Sequence, residues 1–506
     1  MFNLASKITQ HLGSSKKQNN LVLTFGMAIF LTSSVAAESL LIKNVQIISG
    51  ENPQVSEPMN VYIQQNIISY IGQDETIADH EINASGKYLI PGLIDTHVHL
   101  AGIPGLKDED SLSKETVTKI KAQIPKSYLY FGFTTLLDLA SEHDFIQQWN
   151  DPEYAPEAYY CSAVFIPNGY PLAWLDKDQQ FAHPNADYML FDPRQSTIFP
   201  SNFKQDQHTP SVIAQRIKAS GAKCVKMFFE TGFGALKNLP VPTIEMVNNM
   251  VAAAHALNMP VYLHGNSQQA YEFAQQTDID TLVHGMWHWS TLKSASDKDI
   301  NSFVKKFSAT GIAVQPTMQV LAGEYELFNP DFFTQDNVKH AIPQELIAWY
   351  QTAAGQWMRT VMNEQFPPSV SDNAKHYQNI KDAYQQPIEN NNRMTRQLQP
   401  HKVRLLFGSD TPSGPFYTQF PGVNGRLEMD RWIEAGLPLS VLFSSLTSNN
   451  AQALGMQDSI GTVAVGKKAN LLLLEDNPLV SVKAYDSIVQ VILNGNVITR
   501  EKLSAQ

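Results

Sequence analysis

Residues 91–100 read PGLIDTHVHL. The run is apolar as far as Ile94 and then carries polar residues at alternate positions. A β-strand points side chains i and i+2 to the same face. His97 and His99 therefore project together, with Asp95 behind them on the same side. Two imidazoles on one rigid strand make half of a metal site. Whether that half is completed depends on what the other strands carry.

Seven further apolar, strand-like runs follow, separated by helical stretches. They are TTLLDLA (134–140), YYCSAVFIP (159–167), KCVKMFF (223–229), PVYLHG (260–265), DTLVHG (280–285), GIAVQP (311–316) and VRLLFGSD (403–410). With YLIPGLIDTHVH (88–99) they number eight, and their alternation with helices is the pattern of parallel βα units. The expected fold class is α/β, a (β/α)8 TIM-like barrel whose chemistry sits at the C-terminal strand ends. The fifth run ends in His264, the sixth in His284 and the eighth in Asp410, all at that end. The fourth carries Lys226 inside CVKMFF, where a bare ammonium is costly to bury. One resolution is capture of CO2 as a carbamate, an anion able to bridge two cations. Imidazoles with carboxylate-type oxygens suit Zn²⁺ or a similar divalent ion. His143, His255 and His288 have no such placement and read as surface or supporting residues.

Short strand-like segments rich in turn residues occupy both ends of the chain: LLIKNVQIIS and NVYIQQNIISYIG before the barrel, GTVAVGKKANLLLLE and YDSIVQVILNGNVI after it. Asn494-Gly495-Asn496 reads as a hairpin turn. The two ends are expected to assemble one small β-sandwich. The organisation read from the sequence is a signal segment over 1–37, the N-terminal strands of the sandwich over 38–90, the barrel over 91–454 and the C-terminal strands of the sandwich over 455–506. Long connections follow the third and seventh barrel strands, about 168–210 and 317–400. The first of them carries Tyr170, Trp174, Phe181 and Tyr188, which suggest a substrate with apolar bulk.

The first 37 residues join a basic stretch (Lys7, Lys16, Lys17) to the apolar LVLTFGMAIFL and the small-residue site SVAAES, the arrangement of an export signal cut after Ala37. Its removal takes the net charge from −11 to −14. An acidic chain without a basic stripe argues against nucleic acid as a partner. The expectation is an exported protein, periplasmic or secreted, with no stable membrane anchor after cleavage and a small-molecule substrate. A homo-oligomer is compatible with this. Cys161 and Cys224, the only cysteines, lie in apolar runs and are expected to be buried free thiols.

With LIPGLIDTHVHL, VKMFF, VYLHG, TLVHG, LLFGSDTP and the tail LTSNNAQALGMQDSIGTVAVGKKANLLLLEDNPL (446–479), the chain resembles the amidohydrolase superfamily of metal-dependent hydrolases. Within it the sequence looks like the branch of imidazolonepropionase-like and Xaa-Pro dipeptidase-like proteins. The resemblance implies two divalent metal ions. His97, His99 and Asp410 would hold one, His264 and His284 the other, and carboxylated Lys226 and a hydroxide would bridge them. It also implies that Asp410 acts as general base and then general acid. Three departures stand out: FFETGFG follows the lysine where relatives often have a Gly-rich segment, Arg426 lies near a position that is histidine in many relatives, and Asn470 stands where aspartate is common. The leading expectation is hydrolysis of a carbon–nitrogen bond in a small substrate such as a dipeptide or N-acyl amino acid. The alternatives are hydrolysis of a cyclic amide, lactone or other ester, and a non-catalytic binding protein of the cell envelope.

Overall fold

The computed structural model describes residues 39–506 apart from 108, 234–235 and 369–371; the signal segment read over 1–37 lies outside the described residues. Two sheets organise the chain. The first contains β1 (Leu40–Ser49), β2 (Gln54–Gln64), β3 (Ile67–Gly72), β4 (His80–Asn83) and β5 (Tyr88–Pro91) from the N-terminal side. From the C-terminal side it takes β13 (Leu471–Leu474), β14 (Ile488–Leu493) and β15 (Asn496–Thr499). The second contains β6 (Leu93–Val98), β7 (Phe133–Asp138), β8 (Glu157–Ala163), β9 (Cys224–Phe228), β10 (Val261–His264), β11 (Thr281–Val283) and β12 (Ala313–Gln315).

The first sheet runs β15-β14-β13-β5-β1-β2-β3, with β4 also on β1. β5 is therefore flanked by a strand from each end of the chain. The sheet curls, because its edge strand β3 bonds back to the segment entering β13: Ile68 N donates to Lys467 O at 2.9 Å and Ala469 N to Asn66 O at 2.8 Å. Enclosed within it is a separate apolar cluster that includes Ile42, Val61, Ile63, Leu89, Leu471 and Ile492. The expected turn is present: Leu493 pairs with Asn496 across Asn494 and Gly495, both at positive φ, as tight hairpins demand.

The second sheet is parallel throughout, in chain order from β6 to β12. The expected first strand over 88–99 is in fact two strands, β5 in one sheet and β6 in the other, divided at Gly92. A side chain at Gly92 would meet Thr134 Oγ1 at 2.1 Å, so only glycine lets the chain cross there. The expected eighth strand, 403–410, does not form a regular ladder. It is an extended segment held on both sides by single bridges, Val314 with Leu405 and Val98 with Thr411. Asp410 N donates to His97 O at 2.8 Å and His99 N to Thr411 O at 2.7 Å, which closes the barrel. Asp95 fastens this seam, accepting from Ser409 N at 3.0 Å and Ser409 Oγ at 2.5 Å.

The barrel interior beneath the strand ends is plugged by Leu137, Leu139, Cys161, Cys224, Tyr262 and Val283. Cys224 and Tyr262 lie two residues before Lys226 and His264, on the same strand faces, one layer lower. The two cysteines are joined in a disulfide, contrary to the expected free thiols. They stand opposite one another on β8 and β9 with Cα atoms 4.4 Å apart, a register that the apolar runs did not disclose. Among the described residues no helix is long and apolar enough to cross a membrane.

Candidate active site

The six side chains singled out by sequence converge at the C-terminal strand ends. His97 Nε2 and His99 Nε2 lie 3.1 and 3.2 Å from Asp410 Oδ1, and His284 Nδ1 lies 3.9 Å from Asp410 Oδ2. The His264 ring meets that of His284 edge-on at 4.5 Å between centroids, and His97 lies 5.3 Å from His284. The Lys226 ammonium is buried, and its charge is felt by all four imidazoles. Local backbone geometry serves this convergence. His284 and Asp410 both adopt positive φ, 82° and 54°, which non-glycine residues accept only where surrounding structure holds them. Gly408 allows the closing segment to lie against β6, because a side chain there would meet His97 Cβ at 2.7 Å.

Electrostatics prepare these groups to bind a cation. Burial pushes His97 down to about 4 and His284 well below the ordinary imidazole value. It also lowers His264, so these rings are neutral at physiological pH, the form that ligates a metal. Burial raises Asp410, but His97, His99 and His284 outweigh it and hold the carboxylate well below its usual range. Burial drops Lys226 to about 7, with only Asp410 opposing.

The donor set fits divalent metal. One ligand atom each from His97, His99 and Asp410 can be chosen so that all lie within 4.8 Å of one another. His284 Nδ1 is engaged by Thr317 Oγ1 at 2.8 Å, which leaves Nε2 for a ligand, and His264 Nε2 faces Glu230 Oε2 at 3.4 Å, which leaves Nδ1. His97 Nδ1 and Lys226 Nζ, both buried, find no hydrogen-bond partner among the described residues.

Several residues of the site were not anticipated. Glu230 is 5 % exposed and accepts from Asn266 Nδ2 at 2.9 Å and from Gly232 N at 2.7 Å, so it is itself fixed while it orients His264. Asp138 Oδ1 lies 3.8 Å from His99 Nδ1 and is anchored by Leu100 N and Ala140 N. Of the aromatic loop residues, Tyr170 stacks on His264 at 4.7 Å and Trp174 packs against Phe233, which also meets Tyr170. Phe181 instead packs on Phe199 and Phe203 within its own loop. Trp287, which follows the sixth strand, lies 5.2 Å from His284. His143, His255 and His288 are all exposed. Arg426 faces away from the site, paired with Asp486 and Asp430, and Asn470 caps Asn494 N in the first sheet.

An array of imidazoles and one carboxylate at successive strand ends agrees with the comparison to known proteins, where the amidohydrolase family profile matches residues 88–498. The chain belongs to the amidohydrolase family. Among curated family relatives, it is 35% identical over 100 residues to a 5-methylthioadenosine/S-adenosylhomocysteine deaminase of Thermococcus sibiricus, covering 19% of this chain and 23% of the relative. It is 38% identical over 80 residues to a dihydroorotase of Trichlorobacter lovleyi, covering 15% of this chain and 18% of the relative. The chain thus matches less than a quarter of the length of these relatives. In fold it is similar to a Xaa-Pro dipeptidase crystallised with methionine in its active site, at a TM-score of 0.60 and 18% identity, over 91% of this chain and 100% of the other.

Proposed function

We propose that this chain is a divalent-metal-dependent hydrolase that cleaves a carbon–nitrogen bond, an amide or peptide link, in a small substrate. The observation that carries this reading is the group formed by His97, His99 and Asp410, with the His284 and His264 rings beside it and the unpartnered amine of Lys226 buried on the neighbouring strand. In this reading His97, His99 and Asp410 would hold one divalent ion such as Zn²⁺, and His264 and His284 would hold a second. Lys226 would supply a further anionic ligand as a carbamate: its neutral Nζ attacks the carbon of CO2, an N–C bond forms as one C=O π pair moves onto oxygen, and Nζ releases a proton to solvent. A lysine held near 7 is substantially neutral at physiological pH, which supports that step. The bound cations would supply a Lewis acid for the scissile carbonyl and a water acidified toward neutrality. Asp410 Oδ accepts the proton of the attacking water and passes it to the leaving nitrogen. Tyr170 and Trp287 flank the imidazoles and give an apolar substrate body a surface to rest on.

Export belongs to the same proposal, and a disulfide linking β8 and β9 supports an oxidising compartment. A second reading, hydrolysis of a cyclic amide, draws support from the dihydroorotase match. The test is a mass-spectrometric screen of the Zn²⁺- and bicarbonate-supplied protein against dipeptides, N-acyl amino acids, aminoacyl arylamides, cyclic amides, lactones and aryl esters, with a chelated control. Chelator-sensitive release of amines from open amides is expected. Turnover confined to cyclic amides moves the assignment to the second reading. Turnover confined to lactones or esters, or none from metal-loaded protein, overturns the carbon–nitrogen assignment.

A further inference from the structure

The helix Gln319–Glu326 follows β12. Val320 and Leu321 on this helix pack with Trp287, Tyr384 and Ile388, and Trp287 in turn lies against His284. Glu324 sits three and four residues beyond Leu321 and Val320, and therefore on the same helical face. It is partly buried, and the Tyr384 hydroxyl donates to its Oε2 at 2.7 Å. The carboxylate lies within electrostatic reach of Asp410. Among the described residues no lysine or arginine forms an ion pair with Glu324, Glu230 or Asp410.

Two further observations bear on what fills this mouth. The Trp287 side chain is 8 % exposed, and its indole N–H has no hydrogen-bond partner among the described residues. It is a buried donor beside the site, suited to a carbonyl oxygen. Two acids, Asp410 and Glu230, act on the Tyr170 hydroxyl. Arg426 is committed to Asp486 and Asp430, and Arg431, which donates to Gln319 Oε1 at 2.9 Å, is paired with Glu434. A substrate carrying a free carboxylate would meet no uncommitted arginine fork among the described residues and would be repelled by Glu324.

We propose that Glu324 selects the substrate by pairing with a protonated amine borne on an apolar, aromatic-sized body, with Tyr384 steadying the carboxylate and Trp287 packing the body and donating to its carbonyl. This rests on the hydrolase reading above and narrows it to aminoacyl-type amides with a free ammonium, at the expense of N-acyl amino acids. Burial raises Glu324 to about 7, so an incoming ammonium also holds it ionised.

The experiment is calorimetric titration of the full protein at pH 8, zinc-loaded and zinc-stripped, with three probes of matched shape: 2-phenylethylammonium, 2-phenylethanol and phenylacetate. The ammonium is expected to bind at least about tenfold more tightly than the alcohol in both preparations. Glu324→Gln should erase that preference while leaving the alcohol unchanged, and Tyr384→Phe should reduce it to a lesser degree. Equal or tighter binding of the alcohol or the acid by the wild-type protein overturns the proposal, as does a preference that survives in Glu324→Gln. Hydrolysis of phenylalanine anilide against its N-succinyl derivative separates the two readings. Ammonium-selective binding with neither amide cleaved removes the hydrolase reading alone. Cleavage that favours the succinyl compound removes the Glu324 assignment alone.

Discussion

Asp410 and Lys226 are the two side chains on which the chemistry turns, and each makes a different demand on the fold. Asp410 touches His97 and His99 through one oxygen and is held ionised by three imidazoles. Asp410→Asn keeps the shape and one ligand oxygen but cannot accept a proton. It is expected to retain metal by elemental analysis while turnover falls by at least about 100-fold; near wild-type activity would refute the general-base role. Lys226 is an unpartnered buried amine whose folded-state pKa of about 7 lies below its ordinary 10.5. Between those values the unfolded chain holds the extra proton, so stability rises with pH across that window and the full cost of burial remains below 7. In metal-free, CO2-free buffer, Lys226→Met should therefore be the more stable protein at pH 7.5, on the order of 2–4 kcal/mol by urea titration. Its stability should also lose the upward slope between pH 7 and 10.5. A destabilised variant would show that the lysine already has a stabilising partner in the metal-free protein.

At the scale of elements, neighbouring strands turn a spacing in sequence into a contact. β8 and β9 set Cys161 opposite Cys224, and the bridge closes a loop with a sequence separation of 63. Loop-closure entropy for that length amounts to about 4 kcal/mol. Denatured, unreduced protein should show no thiol by colorimetric titration, and Cys161→Ala/Cys224→Ala should lose about 2–4 kcal/mol in guanidinium unfolding. Two titratable thiols would refute the bridge. The same pair shows where sequence reading stops. His97, His99, His264, His284 and Asp410 were legible because the residue types are chemically specific and each ends an apolar run. The disulfide was not, because two cysteines in apolar runs give no register. Glu230 and Asp138 were equally hidden: each is an ordinary carboxylate until the fold brings a histidine to it, in Glu230's case one that lies 34 residues along the chain. The closing segment 403–410 read as a strand from its apolar pattern, yet the seam made by Asp95 and Ser409 leaves it only single bridges.

For the whole molecule the question is what joins the barrel to the sheet built from the chain ends. Arg426, fully buried on a barrel helix, grips both oxygens of Asp486 at 2.8 and 2.7 Å and Asp430 at 2.8 Å. Both carboxylates are about a quarter exposed, so removing the guanidinium forfeits its charge-assisted hydrogen bonds while water still reaches the acids. Arg426→Met should cost on the order of 1–2 kcal/mol in urea unfolding and leave metal stoichiometry unchanged, since none of the proposed ligands touches it; lost metal would show that the junction and the site are coupled. The two-sheet architecture itself was readable from matching strand patterns at both ends of the chain, whereas the crossing at Gly92 needed the contact with Thr134 to become visible. That crossing has a consequence for synthesis. β5 emerges from the ribosome with one edge on β1, but its other edge is reserved for β13, which is made only after residues 92–470. At about 5–20 residues per second the gap lasts tens of seconds. Throughout that time the nascent chain displays an unpaired strand edge, the feature that most invites pairing with a neighbour. Completion of this sheet is thus timed by the arrival of β13, and a ribosome stalled within the barrel leaves behind a chain already primed to aggregate.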